Sequence, residues 1–170
     1  DIPFVAIGDL TGGVIRTTEK TLTPAGLAEI GHLAPEGSIF VSMYGSIGKI
    51  GVAGANMATN QAIAWLEPDL TLIDPAFMTS WLTNHAAVFD SQGRGATQRN
   101  INRKMIRETP IVLPPLPTQN EIAHMVGSIN NLIDRTEEAL SRSATVSQGM
   151  LAELLSGNHE IPESYDELLE

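Results

Sequence analysis

From Ile122 to Leu154 the chain carries an apolar stripe at heptad-like spacing: Ile122, Met125, Val126, Ile129, Leu132, Ile133, Ala139, Leu140, Val146, Met150, Leu151 and Leu154. Thr118 followed by Glu121 reads as a capping box that starts a helix, and Gly157-Asn158 as the signal that ends it. A helix of about 39 residues would be about 58 Å long at 1.5 Å per residue. A domain of this mass has a radius of only about 13–15 Å. The helix is therefore expected to project beyond the body. A projecting helix with a wide apolar stripe needs a partner, either another chain or another helix. Ile122, Met125, Val126, Ile129, Leu132, Ile133, Leu140, Met150 and Leu154 are the candidate partner-helix interface. Thr136 and Ser143 interrupt the seam in mid-helix, which weakens it as a simple two-stranded zipper.

Ahead of that helix the pattern is short strands and turns. Asp1–Gly8 alternates towards a strand, and Thr21–Ile30 reads as a short helix with Thr23 as cap and Pro24 in its first turn. The run "SIFVSMY" (38–44) is rich in strand formers, and "KIGVAG" (49–54) alternates again. The stretch joining them, "GSIGKIG", superficially suggests a phosphate-binding loop. That motif would need a glycine at Met43 and a hydroxyl residue at Ile50, so both ends fail. Strand, Gly/Ser turn, strand is a hairpin signal, with the glycines serving positive-φ positions. Gln61–Leu66 reads as a further strand, Asp74-Pro75 opens a helix, Ser91–Lys104 is a polar, basic loop, and Ile111–Leu113 a last strand stopped by Pro114-Pro115. Trp65 and Trp81 lie among apolar residues and read as core.

A chain of 170 residues is one ordinary domain or one domain with an appendage. It opens on Asp1 with strand already under way at Ile2, so further residues are expected ahead of it. Without cysteine, signal peptide or an apolar run long enough to span a bilayer, a cytoplasmic protein is the default, with no membrane partner. The net charge of −10 argues at first against nucleic acid. Its distribution argues the other way. The acidity is concentrated from residue 118 onward, where Arg135 and Arg142 are the sole cations. Arg94, Arg99, Arg103, Lys104 and Arg107 crowd into one short window of the body.

Chemistry of the common catalytic kinds is missing. His32, His85, His124 and His159 are scattered without metal-ligand spacing. No G-x-S-x-G elbow exists. Asp69, Asp74 and Asp90 are more simply turn or cap residues than a magnesium site. The run "LPPLP" superficially resembles the proline-rich motif of amino-methyltransferases, but lacks the Asp/Asn before it and the aromatic after it. The chain reads as non-catalytic, with no cofactor and no metal of its own.

Taken in order, "GSIFVSMYGSIGKIGVAGANMATNQAIAWLEP", then "GRGATQRNINRKMIRETPIVLPPLPTQNEIA", then a long helix closing on "LLSG", resemble the specificity subunit of type I restriction–modification systems. The resemblance covers residues 1 to 157 and is most specific at Gly93–Glu121. It implies an α+β fold: a mixed β-sheet target recognition domain over 1–117, one long projecting helix over 118–157 forming a coiled-coil-like pair, and an acidic tail over 158–170. It implies double-stranded DNA as ligand, with DNA methyltransferase (modification) subunits and a restriction subunit as partners. Those partners would hold S-adenosylmethionine, ATP and magnesium. Members carry two recognition domains and two helices. This sequence has one set, so it resembles a half-subunit that homodimerises through the helix, or a fragment of a longer chain.

The DNA-contact candidates follow from side-chain chemistry. Arg94, Arg99, Arg103 and Lys104 can neutralise phosphates, while Gln98, Asn100 and Asn102 carry the donor–acceptor pair that reads adenine. Thr97, Gln98 and Asn100 fit holding the loop or touching backbone equally well. Tyr44, Ser46 and Lys49 sit at the hairpin turn, where a lysine can reach a phosphate or merely be solvated. Asn56, Asn60 and Gln61 fit turn-holding better than base reading. The competing class of function is a helical adaptor or inhibitory decoy that works by protein contact. Salt dependence of DNA binding separates the two.

Overall fold

The computed structural model describes residues 1–92 and 100–156. Contacts divide the chain into two units, Asp1–His124 and Met125–Glu170. The first is α+β, with two mixed sheets among the described residues. In one, β1 (Ile2–Val5) lies between β3 (Lys20–Leu22), antiparallel, and β6 (Ala58–Thr59), parallel. The other is ordered β2 (Val14–Ile15), β5 (Ile50–Ala53), β4 (Ile39–Ser42), β7 (Ile63–Leu66). Its β2–β5 pair is parallel and its other two pairs antiparallel.

All four residues of β4 are buried, because the strand sits between two cores. Side chains alternate across a strand. Ile39, Val41 and Met43 share one cluster with Leu82 and Phe89 of α2 (Pro75–Gln92) and Ile106 of α3 (Arg103–Glu108). Phe40 joins the opposite cluster with Val5, Leu10, Met57 and Ile63. The apolar run around it is therefore continuous rather than alternating, as for any strand covered on both faces. Trp65 and Trp81 are half-buried and pack against these two clusters, and Trp81 stacks on His85 at 3.9 Å between ring centroids.

Local signals account for most element ends. Thr23 caps α1 (Pro24–Ile30), its hydroxyl accepting from Gly26 N–H at 3.2 Å, as its position before Pro24 implies. The helix begins at Pro24, and the preceding Lys20–Leu22 is strand. Asp74 opens α2 by accepting from Phe77 N–H at 2.8 Å. Asp69 folds a turn by accepting from both the N–H and the hydroxyl of Thr71. Those bonds hold the Asp69 carboxyl below the usual carboxylate range. Asp90 is neither turn nor cap but lies within α2.

Three further expectations are corrected. Ile111–Leu113 forms no strand: Pro110, Pro114 and Pro115 around it have no N–H to donate to a ladder, and Val112 is 85% exposed. The segment read as loop through Lys104 contains the start of α3, N-capped by Asn102. Finally, α4 (Leu116–Leu155) begins two residues ahead of Thr118, with Gln119 N–H donating to Pro115 C=O at 3.1 Å. Pro117 falls in the first turn, where a missing N–H costs nothing, so Thr118 is inside the helix rather than its cap.

The first turn of α4 is fastened by Gln119, whose side chain is fully buried. Its Oε1 accepts from Asp74 N–H at 2.9 Å. Its Nε2 donates to Leu72 C=O at 3.0 Å and to Pro114 C=O at 2.8 Å. One carboxamide thus satisfies three backbone groups, two from the distant turn ahead of α2 and one from the proline segment just before α4.

In the second unit, α4 continues to Leu155, and Ser156 N–H closes its last turn on Ala152 C=O. Met125, Ile129, Leu132, Ile133, Leu140, Val146, Met150 and Leu154 are 48–71% exposed in the single chain. Thr136, which breaks the apolar seam, turns its hydroxyl back onto Leu132 C=O at 2.7 Å and so needs no partner for it.

Replacing Gln119 by Ala takes the partner from one part-buried backbone donor, Asp74 N–H, and two backbone acceptors, the carbonyls of Leu72 and Pro114. The change is expected to cost about 3 kcal/mol or more of stability, read as a lowered urea midpoint at constant m-value. A loss below about 1 kcal/mol would mean that water restores all three bonds.

Candidate nucleic-acid interface

The glycine stretch of the β4–β5 hairpin forms a cross-braced loop. Ser42, fully buried at the end of β4, accepts from Lys49 N–H at 2.9 Å through its hydroxyl and donates that hydroxyl to Ser46 C=O. Its backbone N–H and C=O bond to Lys49 C=O and Gly48 N–H, each at 3.0 Å. Gly45 and Gly48 take φ of +67° and +77°, the left-handed conformation read from the sequence. Gly48 has a second reason to be glycine. A Cβ there would lie 2.7 Å from the Ala86 Cβ of α2, so the loop docks directly on that helix.

Immediately before the loop, Met43 ties three segments together. Its N–H donates to Ala62 C=O at 2.8 Å, and its C=O accepts from Ile101 N–H at 3.1 Å. The hairpin, the turn between β6 and β7, and the segment leading into α3 are thereby placed side by side. Met43, Tyr44, Gln61, Asn102, Arg103 and Lys104 line an open groove of about 490 Å³ between them. Tyr44, Gln61, Asn102, Arg103 and Lys104 are exposed.

The cations at this groove are only lightly engaged. Lys104 Nζ lies 3.8 Å from a Glu108 carboxylate oxygen one helical turn on, with both side chains largely in solvent. Such a pair is worth about 1 kcal/mol at most, too little to withhold the lysine from a phosphate. Among the described residues no cluster of His, Asp or Glu could hold a metal ion. No helix among them is long and apolar enough to cross a membrane.

A family model described as the type I restriction modification DNA specificity domain matches residues 1–142. The chain belongs to this family. Over 127 residues it is 26% identical to the EcoBI type I restriction enzyme specificity subunit of Escherichia coli, covering 70% of this chain and 27% of that protein. A chain from a solved structure of type I R-M system assembly and conformational transition superposes with a TM-score of 0.63 at 18% identity, over 90% of this chain and 36% of that one. The HsdS subunit from Thermoanaerobacter tengcongensis superposes with a TM-score of 0.62 at 17% identity, over 81% and 32%. The structural likenesses show the fold, mixed sheets followed by a long helix. The chain spans about a third or less of the length of these relatives.

Of the sequence candidates for this specificity domain's DNA contacts, the structure brings Tyr44, Asn102, Arg103 and Lys104 to one groove. Ser46 and Lys49 are exposed on the adjoining hairpin loop but do not line it. Asn102 has a structural duty as well, since its Oδ1 accepts from Met105 N–H at 3.0 Å to cap α3. Asn100 is half-buried, and its Oδ1 is shut from solvent without a partner among the described residues. Arg94, Thr97, Gln98 and Arg99 lie outside the described residues. Asn56 and Asn60 hold turns, as expected, through Glu36 N–H at 3.1 Å and Ala62 N–H at 2.9 Å. Gln61 behaves otherwise, facing the groove. A glutamine beside a turn-making asparagine is the only signal for it in the sequence. Ser42, the brace of the hairpin, looks in sequence like one more small residue in an apolar run.

Gly48→Ala is expected to lose about 2–4 kcal/mol, from left-handed strain plus the collision with Ala86. Gly45→Ala, where the added Cβ meets open space, should lose only about 1–2 kcal/mol. Equal losses in parallel denaturant melts would show that the loop's docking on α2 carries no energy.

Proposed function

We propose that this chain is a sequence-specific DNA-recognition subunit that directs a type I methyltransferase and restriction complex to its target. Its recognition surface is the groove and its neighbouring hairpin loop, and it carries out no catalysis itself. The observation that carries the reading is family membership over residues 1–142, joined to a groove that collects Arg103 and Lys104 beside exposed polar side chains. A polyanion with hydrogen-bonding base edges is the ligand such a rim suits. In this reading methyl transfer and cleavage belong to separate modification and restriction subunits. Those subunits bind S-adenosylmethionine, ATP and magnesium, and the assembly works in the cytoplasm.

The exposed stripe of α4 is the second surface. We infer that two copies pair through it, because side chains such as Ile129, Leu132, Leu140 and Met150 stand more than half exposed in the single chain. Covering an apolar stripe of this length requires an apolar stripe in return, and an identical helix supplies one. The pair would place two recognition surfaces on one DNA duplex.

Selection from random-sequence DNA, using the chain with its modification subunit at near-physiological salt, tests the reading. The expected result is a two-part site with symmetric halves and a fixed gap. Absence of any enrichment from an intact complex would reject it and favour an adaptor that acts by protein contact. DNA affinity should also fall steeply with salt. Replacing Arg103 and Arg99 by Ala should weaken binding on all sequences and flatten the slope of log K against log salt by about one for each phosphate left without its cation.

Ile129→Asp or Leu132→Asp is expected to convert a dimer into monomers, measured by light scattering on the free chain. An unchanged mass would exclude pairing through this stripe.

A further inference from the structure

Among the described residues, the groove contains one carboxamide that the fold does not use. Asn60 spends its Oδ1 on Ala62 N–H, and Asn102 spends its Oδ1 on Met105 N–H. Gln61 is exposed, lines the groove and makes no side-chain hydrogen bond to the described residues. Its mount is rigid. The turn is closed by Ile63 N–H on Asn60 C=O at 3.3 Å, by Asn60 Oδ1 on Ala62 N–H at 2.9 Å, and by Met43 N–H on Ala62 C=O at 2.8 Å. The backbone under Gln61 is therefore held on both sides, and only its own side chain must be ordered on binding.

We propose that Gln61 is a specificity-determining residue, whose carboxamide reads the edge of one adenine in DNA bound across this groove. The inference rests on the DNA-recognition reading and adds the residue and the base class. Adenine offers an N7 acceptor and an N6 donor in the major groove, and a carboxamide with both its oxygen and its amine uncommitted meets the two together. Asn102 has its carboxamide oriented by the cap on α3 and one lone pair of its oxygen already engaged there, so it is less free to turn to a base. Arg103 and Lys104 at the same groove supply charge for the phosphates that set register, which leaves the uncharged Gln61 to discriminate among bases. Tyr44, partly exposed, contributes an aromatic wall to the same groove.

The test is random-sequence selection by the complex of the full chain with its modification subunit, for wild type, Gln61→Ala and Gln61→Glu. For Gln61→Ala, the adenine preference at one position should fall by about 5- to 150-fold, the range a bidentate base contact supports. The other positions, non-specific DNA affinity and the urea midpoint should stay as in wild type. For Gln61→Glu, that one position should turn towards cytosine, whose N4 donates to a carboxylate. An unaltered motif with Gln61→Ala overturns the assignment. So does a uniform loss at every position, which would make Gln61 a support for the groove. Wild type with neither a motif nor salt-dependent binding overturns the DNA-recognition reading itself.

Discussion

The buried carboxamide of Gln119 is the interaction on which the arrangement of the first unit most depends. It accepts from the N–H of Asp74, the residue that caps α2, and donates to carbonyls of Leu72 and Pro114. The proline-rich segment, the turn ahead of α2 and the first turn of α4 therefore have their positions set by one side chain. A hydrogen-bonded polar group in a dry site allows few alternative arrangements, because any shift leaves donors and acceptors unpaired at a cost of about 1–3 kcal/mol each. Apolar packing alone would tolerate sliding.

From α2 the constraint passes to the groove by close packing. Leu82 and Phe89 cover Ile39 and Val41 on β4, and Ala86 receives the hairpin loop at Gly48. Within the loop Ser42 closes the chain on itself, and Met43 joins it to Ala62 and Ile101. Most polar side chains of this region are thus architectural. Ser42 braces the loop, Asn56 and Asn60 hold turns, and Asn102 caps α3. Among the described residues, Gln61, Arg103 and Lys104 are left over at the groove, and leftover polar groups on a rigid frame are what recognition requires.

The hairpin, α1, α2 and the long α4 were legible in the sequence because each is announced by local chemistry. These signals are glycines between strand formers, Thr23 before Pro24, Asp74 before Pro75, and an apolar repeat sustained over many turns. Elements without local signals escaped. The strands β2, β3 and β6 are only two or three residues long and exist by pairing with distant partners. The six-residue α3 hides in a polar run, where Asn102 resembles a loop residue until Met105 N–H is seen on it. Ile111–Leu113 has strand composition and no strand, because prolines on either side remove the donors that a ladder would use. Of the candidate site, Tyr44, Arg103 and Lys104 could be picked by residue type, whereas Gln61 could be separated from Asn56 and Asn60 only by where each carboxamide points.

By itself the sequence determined the class of fold, the long helix with its apolar stripe, and the family, since all three are carried by residue order and periodicity. Tertiary structure decided which residues share a surface. Tyr44, Gln61 and Arg103 lie far apart along the chain and meet because the backbone of Met43 bonds both Ala62 and Ile101. It also decided which carboxamides are spent, since a side chain committed to a cap or a turn has the same composition as one left free. Periodicity records which face of an element is buried. It does not record what lies beside that face, and recognition depends on the latter.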